Sequence, residues 1–182
     1  MKLLQKLTIS LILAGFVCCQ NLQPDSIELP EYPDLGRLLI EQCNKLQDRS
    51  MTKEVMLGGE TETLTLTIDS IRWKKELSFL EEINPRKPEY VGVYEVTEDA
   101  NELTLKLGNG EKAVLKWLSI QSDETGNKKI SATIHESKEI FTHHREVELT
   151  LSDGLISEWR IDGYHKMLIS DTVRFRIIGS VN

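Results

Sequence analysis

From Glu89 to Asn182 the chain is a succession of short apolar–polar alternations separated by turn-forming residues, and that pattern specifies an antiparallel sheet. The predicted strands are 90–97, 102–107, 112–121, 129–136, 138–151, 155–162 and 172–179, with a short extra strand around Met167–Ser170. Between them stand Asp99-Ala100-Asn101, Gly108-Asn109-Gly110, Thr125-Gly126-Asn127 and Ser152-Asp153-Gly154. These residue types accept left-handed backbone or bond to their own main chain, so they turn the strand back on itself. Such short connections join antiparallel neighbours, because a parallel crossover needs about a dozen residues or more, and the strands therefore form a meander.

Upstream, the pattern is mixed. Asp34 stands as an N-cap before Leu35, Leu38, Leu39, Cys43 and Leu46, whose three- and four-residue spacing predicts an amphipathic helix to about Asp48. Met51–Leu57 reads as a strand and Gly58-Gly59 as a hairpin turn. In the strand that follows, Thr63, Thr65 and Thr67 alternate with Leu64, Leu66 and Ile68. Asp69 or Ser70 then caps a second helix with Ile71, Trp73, Leu77, Leu80 and Ile83 as its buried stripe, ended by Pro85 and Pro88. The fold class is α+β, mainly antiparallel β. About nine strands exceed what a flat open sheet carries comfortably, so the expected form is a strongly curved meander or a partly closed barrel. The two helices near the N-terminus lie against its inside or its mouth. Segment Ala113–Ile120 is apolar on both alternations, Leu115 and Trp117 on one and Val114, Leu118 and Ile120 on the other, as a central strand covered on both faces would be.

The first residues belong to something else. Lys2 and Lys6 precede an apolar run from Leu7 to Val17 that ends in Cys18-Cys19, the order of a secretory signal peptide. Leu13-Ala14-Gly15 followed by these cysteines resembles the lipobox of bacterial lipoproteins, in which the cysteine is acylated and becomes the first mature residue. That resemblance implies lipid attachment at Cys19, with Cys18 as the alternative. Several acyl chains, at about 0.8 kcal/mol per buried methylene, anchor a domain without a membrane-spanning helix. The domain division is then 1–18 signal peptide, 19–33 a proline-stiffened tether with Pro24, Pro30 and Pro33, and 34–182 a single β-rich globular domain. If Cys19 is lipidated, only Cys43 remains, on the helix stripe, as a buried thiol. If Cys18 is, a Cys19–Cys43 bridge is open. Without Lys2 and Lys6 there are 20 basic against 29 acidic residues, a net charge of −9. That argues against nucleic acid as a partner and leaves the lipid as the main attachment to a membrane.

Trp73-Lys74-Lys75-Glu76-Leu77-Ser78-Phe79 through Ile83-Asn84 resembles a Trp-x-x-Glu-Leu-x-x-Phe-x-x-x-x-Ile-Asn pattern, with Phe79 one place early, of small uncharacterised lipoproteins of the Bacteroidetes type. The closing Gly163-Tyr164-His165-Lys166-Met167-Leu168, with Gly179 beyond it, is similar to the same group. The resemblance implies a lipid-anchored β domain at the cell envelope, outer membrane or periplasm-facing, and brings no activity with it. The architecture is also similar to periplasmic half-barrels that handle lipids in lipoprotein localisation.

No Gly-x-Ser-x-Gly, phosphate loop, dinucleotide fingerprint or His-Glu-x-x-His occurs, and no cofactor or metal is expected. Counting by twos, Phe141, His143 and Arg145 share a face with Val147, Leu149 and Leu151, which predicts a polar end to an apolar face where Arg145 meets an anionic group. His135 and His144 fall across neighbouring strands. Trp117 and Trp159, like Trp73, line a pocket or pack in the core. The ligand-binding candidates are therefore His143, Arg145, Trp117 and Trp159, with no catalytic residue assigned. The leading function is a membrane-anchored, non-enzymatic binding module for an apolar or amphipathic ligand in the sheet's concavity. The alternative is a structural or assembly accessory docking on another envelope protein, which an exposed edge strand or apolar patch would favour. A hydrolase would need a histidine within hydrogen-bond reach of a carboxylate.

Overall fold

The computed structural model describes residues 32–182. The leader, Cys18, Cys19 and most of the expected tether lie outside them. Tyr32, the penultimate tether position, is built into the core and meets the Tyr94 ring edge-on at 6.0 Å. Helix α1 is Leu35–Lys45, and Asp34 caps it by accepting from the Arg37 N–H at 2.9 Å. Strands β1 (Ser50–Leu57) and β2 (Glu60–Thr67) form the expected hairpin, with Gly58 and Gly59 both at positive φ as a primed turn requires.

The second helix comes in two pieces, α2 (Ser70–Glu76) and α3 (Phe79–Glu82). Asp69 is the cap, accepting from the Arg72 N–H at 2.8 Å. The break at Leu77-Ser78 tightens the chain, so that Leu80 bonds back to Leu77 and Glu81 to Ser78 in three-residue steps. Phe79 thereby joins Trp73, Leu77, Leu80 and Ile83 in the core, while Ile71, expected on the buried stripe, is 68% exposed. A 3₁₀ turn at Pro88–Tyr90 replaces the start of the strand expected over 90–97.

The remaining strands are β3 (Tyr94–Glu98), β4 (Glu102–Leu107), β5 (Leu115–Ser122), β6 (Lys128–Ser137), β7 (Phe141–Ser152), β8 (Leu155–Met167) and β9 (Val173–Val181). All pair antiparallel in one nine-stranded sheet of order β2-β1-β9-β8-β7-β6-β5-β4-β3. The meander is as expected, and β1 closes on β9 to bring the first hairpin to the far side. The sheet is curved and not closed, with β2 and β3 as its edges. The short strand expected at 167–170 is absent, because β8 runs through to Met167 and a turn follows.

One face of the sheet carries the helices. Its inward residues include Leu105, Leu115, Leu118, Ile130, Ala132, Ile134, Val147, Leu149, Trp159 and Ile161, all buried. Trp159 crosses the Trp73 ring edge-on at 6.1 Å, which locks α2 to the sheet centre. A bulge at Lys116 corrects the expected alternation in β5. Leu115 pairs with Ile134 and Trp117 with Thr133, so Leu115 and Leu118 both face the helices and Trp117 faces away. Gln42, 1% exposed on the apolar stripe of α1, ties that helix to the β7–β8 turn. Its amide donates to the Gly154 carbonyl and its oxygen accepts from the Ile156 N–H, both at 2.9 Å.

Candidate functional site

The four candidate residues do not converge. His143 and Arg145 stand on the helix-bearing face, beyond the core. Trp159 is inside the core, 1% exposed against Trp73. Trp117 lies half-buried on the opposite face, in a shallow groove of about 340 Å³ with Glu146, Arg160 and Asp162.

The predicted polar end of the apolar face is formed as the counting by twos required. Arg145 opposes Ile134 on one side and Gly163 on the other. Its anionic partner is internal: Arg145 pairs with Glu82 at the end of α3. The Arg145 Nε is buried and makes no hydrogen bond. His143 meets the rings of His165 at 5.8 Å and Phe175 at 6.4 Å, and Phe141 stacks on His165 at 6.0 Å. Burial pushes the His143 pKa down, and the charges of Arg145 and His165 add to that, so the ring is neutral at pH 7. On this face α1, α2 and α3 pack on the sheet through their leucines, Trp73 and Phe79.

The face away from the helices is polar and ribbed. Four neighbouring strands present His135, His144, Tyr164 and Arg174 in line. The two histidine rings are 5.7 Å apart, His144 and Tyr164 are 5.3 Å apart, and the Arg174 guanidinium lies 5.9 Å over the Tyr164 ring. Next to this row Asp162 accepts from Arg160 at 2.5 Å and from Arg176 at 2.6 Å. Desolvation by burial raises the Asp162 pKa, but hydrogen bonds and charge from the two arginines outweigh it and hold the carboxyl below its usual range. His144, Tyr164 and Arg174 of this row, with Met56 and Arg176, line an open groove of about 730 Å³. Sequence reasoning missed Tyr164 and Arg174 as members, because only the register of β7, β8 and β9 aligns them.

Further along the same face, Glu102 accepts from Ser119 at 2.6 Å and from Gln121 at 3.1 Å, and these bonds lower its pKa. His135 and His144 are adjacent as expected, but no group of three or more metal-ligating side chains exists among the described residues. The nearest approach of a histidine nitrogen to a carboxylate among them is 3.6 Å, from His144 to Glu146. Cys43 is a buried free thiol whose pKa is raised by desolvation.

The third feature is the sheet margin. Strand β2 is eight residues long and every one is exposed, including Leu64 and Leu66 on the helix-bearing side at 42% and 39%. It has no proline, lysine or bulge, and its only charges, Glu60 and Glu62, sit at one end. The opposite edge, β3, has five residues, two of them glutamates. No helix of the described residues is long and apolar enough to cross a membrane. Comparison with models of known protein families, with curated proteins and with solved structures finds no match.

Proposed function

We propose that this chain is an envelope lipoprotein whose globular domain is a docking module. Acylation at Cys19, or at Cys18, holds it on a membrane, and the proline-containing segment before Tyr32 spaces the domain from the surface. The open edge of β2 then adds to a strand of another protein subunit. The observation that carries this reading is the edge itself. Exposed edges of this length are normally blunted by lysine, proline, a bulge or a covering loop, and among the described residues β2 has none of these. Strand addition uses main-chain bonds for affinity and alternate side chains for choice of partner.

Replacing Thr65 with proline removes one main-chain donor on the outer margin of β2, a position an edge strand tolerates. In native gels of gently solubilised envelope, the parent chain is expected in a complex larger than the monomer, and Thr65→Pro at monomer size. A parent chain already at monomer size, or a variant that stays in the complex, contradicts docking at this edge. The anchor is tested separately by labelling cells with an alkyne-bearing fatty acid, which should mark the parent chain and fail to mark Cys18→Ser/Cys19→Ser.

The outer-face groove favours a second reading, an amphipathic ligand with an acidic head. Met56 and Tyr164 supply apolar surface, and Arg174 and Arg176 supply positive charge. Titration with laurate tests it. Saturable binding weakened by Arg174→Ala supports the reading, and no saturable binding removes it.

A further inference from the structure

The β2 edge is self-complementary in one register, and we infer that its partner is the β2 edge of a second copy of this chain. The inference rests on the docking reading above and names the partner. The two-residue turn makes Leu57–Glu60 a hydrogen-bonded pair. Pairs in an antiparallel ladder alternate, so the N–H and C=O groups of Glu60, Glu62, Leu64 and Leu66 point to β1, and those of Thr61, Thr63, Thr65 and Thr67 point outward. The side chains of Thr52 and Thr65, at a non-hydrogen-bonded pair, accordingly meet at 3.2 Å.

Two copies can continue the sheet across this margin about a two-fold axis normal to it. Facing residues must then lie on the same side of the sheet, which limits the registers to a few. With the axis through Thr65, the threonines exchange main-chain bonds. Thr65 faces Thr65, and Thr63 faces Thr67 on both sides of the axis. Leu64 of each copy faces Leu66 of the other, at close-approach positions, so four leucines form one cluster on the helix-bearing side. No like charges face one another.

Other registers are worse. An axis through Leu64 sets Leu66 against Glu62, and an axis through Thr63 sets both leucines against glutamates. An axis through Leu66 leaves only residues 65–67 paired within β2. The chosen register pairs residues 63–67 of each copy, a small contact that falls below the area of a stable free dimer. Confinement of both copies to one membrane surface supplies the missing effective concentration. Pairing is therefore expected at the envelope and weak in dilute solution.

The test uses the full chain in its native envelope. Two epitope-tagged copies are co-expressed, one carrying Leu64→Cys and the other Leu66→Cys, and oxidised with copper phenanthroline. The mixed pair should give a disulfide-linked dimer carrying both tags. Either variant alone should give at least about tenfold less, because residues two places out of register are too far apart to bridge. Equal yields from mixed and single variants, or no dimer, overturn the inference. A photoreactive p-benzoylphenylalanine at Thr65 separates its failure from that of the docking reading. An adduct of two copies supports both. An adduct with a different protein overturns the second copy and keeps the docking edge. No adduct overturns both.

Discussion

Adding one methyl group at Gly179 tests the packing that holds the sheet to the helices. Gly179 lies in β9 opposite Trp159 of β8 and Lys53 of β1. A Cβ there would stand 2.1 Å from Cζ2 and 2.2 Å from Cε2 of Trp159. Non-bonded carbons rest about 3.5–4.0 Å apart, so roughly 1.5 Å must be absorbed. The indole cannot swing away, because it is buried and its other side meets Trp73. The backbone of β9 is held by strands on both sides. Overpacking costs about 1–3 kcal/mol and occasionally more, and a site closed on every side belongs at the upper end, about 3 kcal/mol. For a domain of this size that lowers Tm by about 6–12 °C. Trp159→Phe alone costs about 2 kcal/mol through the space it leaves. It also removes the ring atoms that the added methyl would strike. The double variant should therefore be about as stable as Trp159→Phe alone, well short of the additive sum of about 5 kcal/mol. Urea unfolding of the four chains measures this. A Gly179→Ala change within about 0.5 kcal/mol, the range of an ordinary surface substitution, or strict additivity in the cycle, refutes the packing described.

Gln42→Leu keeps the size of the side chain but leaves the Ile156 N–H and the Gly154 carbonyl without their partner, and should cost about 2–3 kcal/mol in urea unfolding. His143 is held neutral in the folded domain, its pKa lowered by burial and by Arg145 and His165. The unfolded chain therefore binds the extra proton first. The contribution of His143 is complete above about pH 6.5 and is lost as the pH falls through its lower folded value. His143→Phe should flatten that part of the stability–pH curve, and an unchanged curve would show that another group carries it.

The strands were legible because turn chemistry and period-two alternation agree at almost every junction from Asp99 to Gly154. Both helix caps, Asp34 and Asp69, were legible for the same local reason. What escaped was non-local. Nothing in Leu115-Lys116-Trp117 marks a bulge; it arises from pairing with Ile134 and Thr133, and it moves Trp117 to the other face. The break at Leu77-Ser78 is set by the gain of burying Phe79 as well as Leu80. Gln42 had a signal, since 35, 39, 42 and 46 share the stripe and a polar residue at such a position needs buried partners. Arg145 was placed on the right face, but only the fold brings Glu82 to it. The closure of β1 on β9 spans nearly the whole domain and leaves β2 as an edge, a consequence no local pattern carries.

Hydrogen exchange at Thr61, Thr63, Thr65 and Thr67 bears most directly on β2 as the working surface. Their amides should exchange quickly in dilute purified protein and slow markedly when the same chain sits on the membrane to which the proposed acylation would hold it, with the amides of edge β3 unchanged. Fast exchange at all four in both settings would mean that no strand adds there.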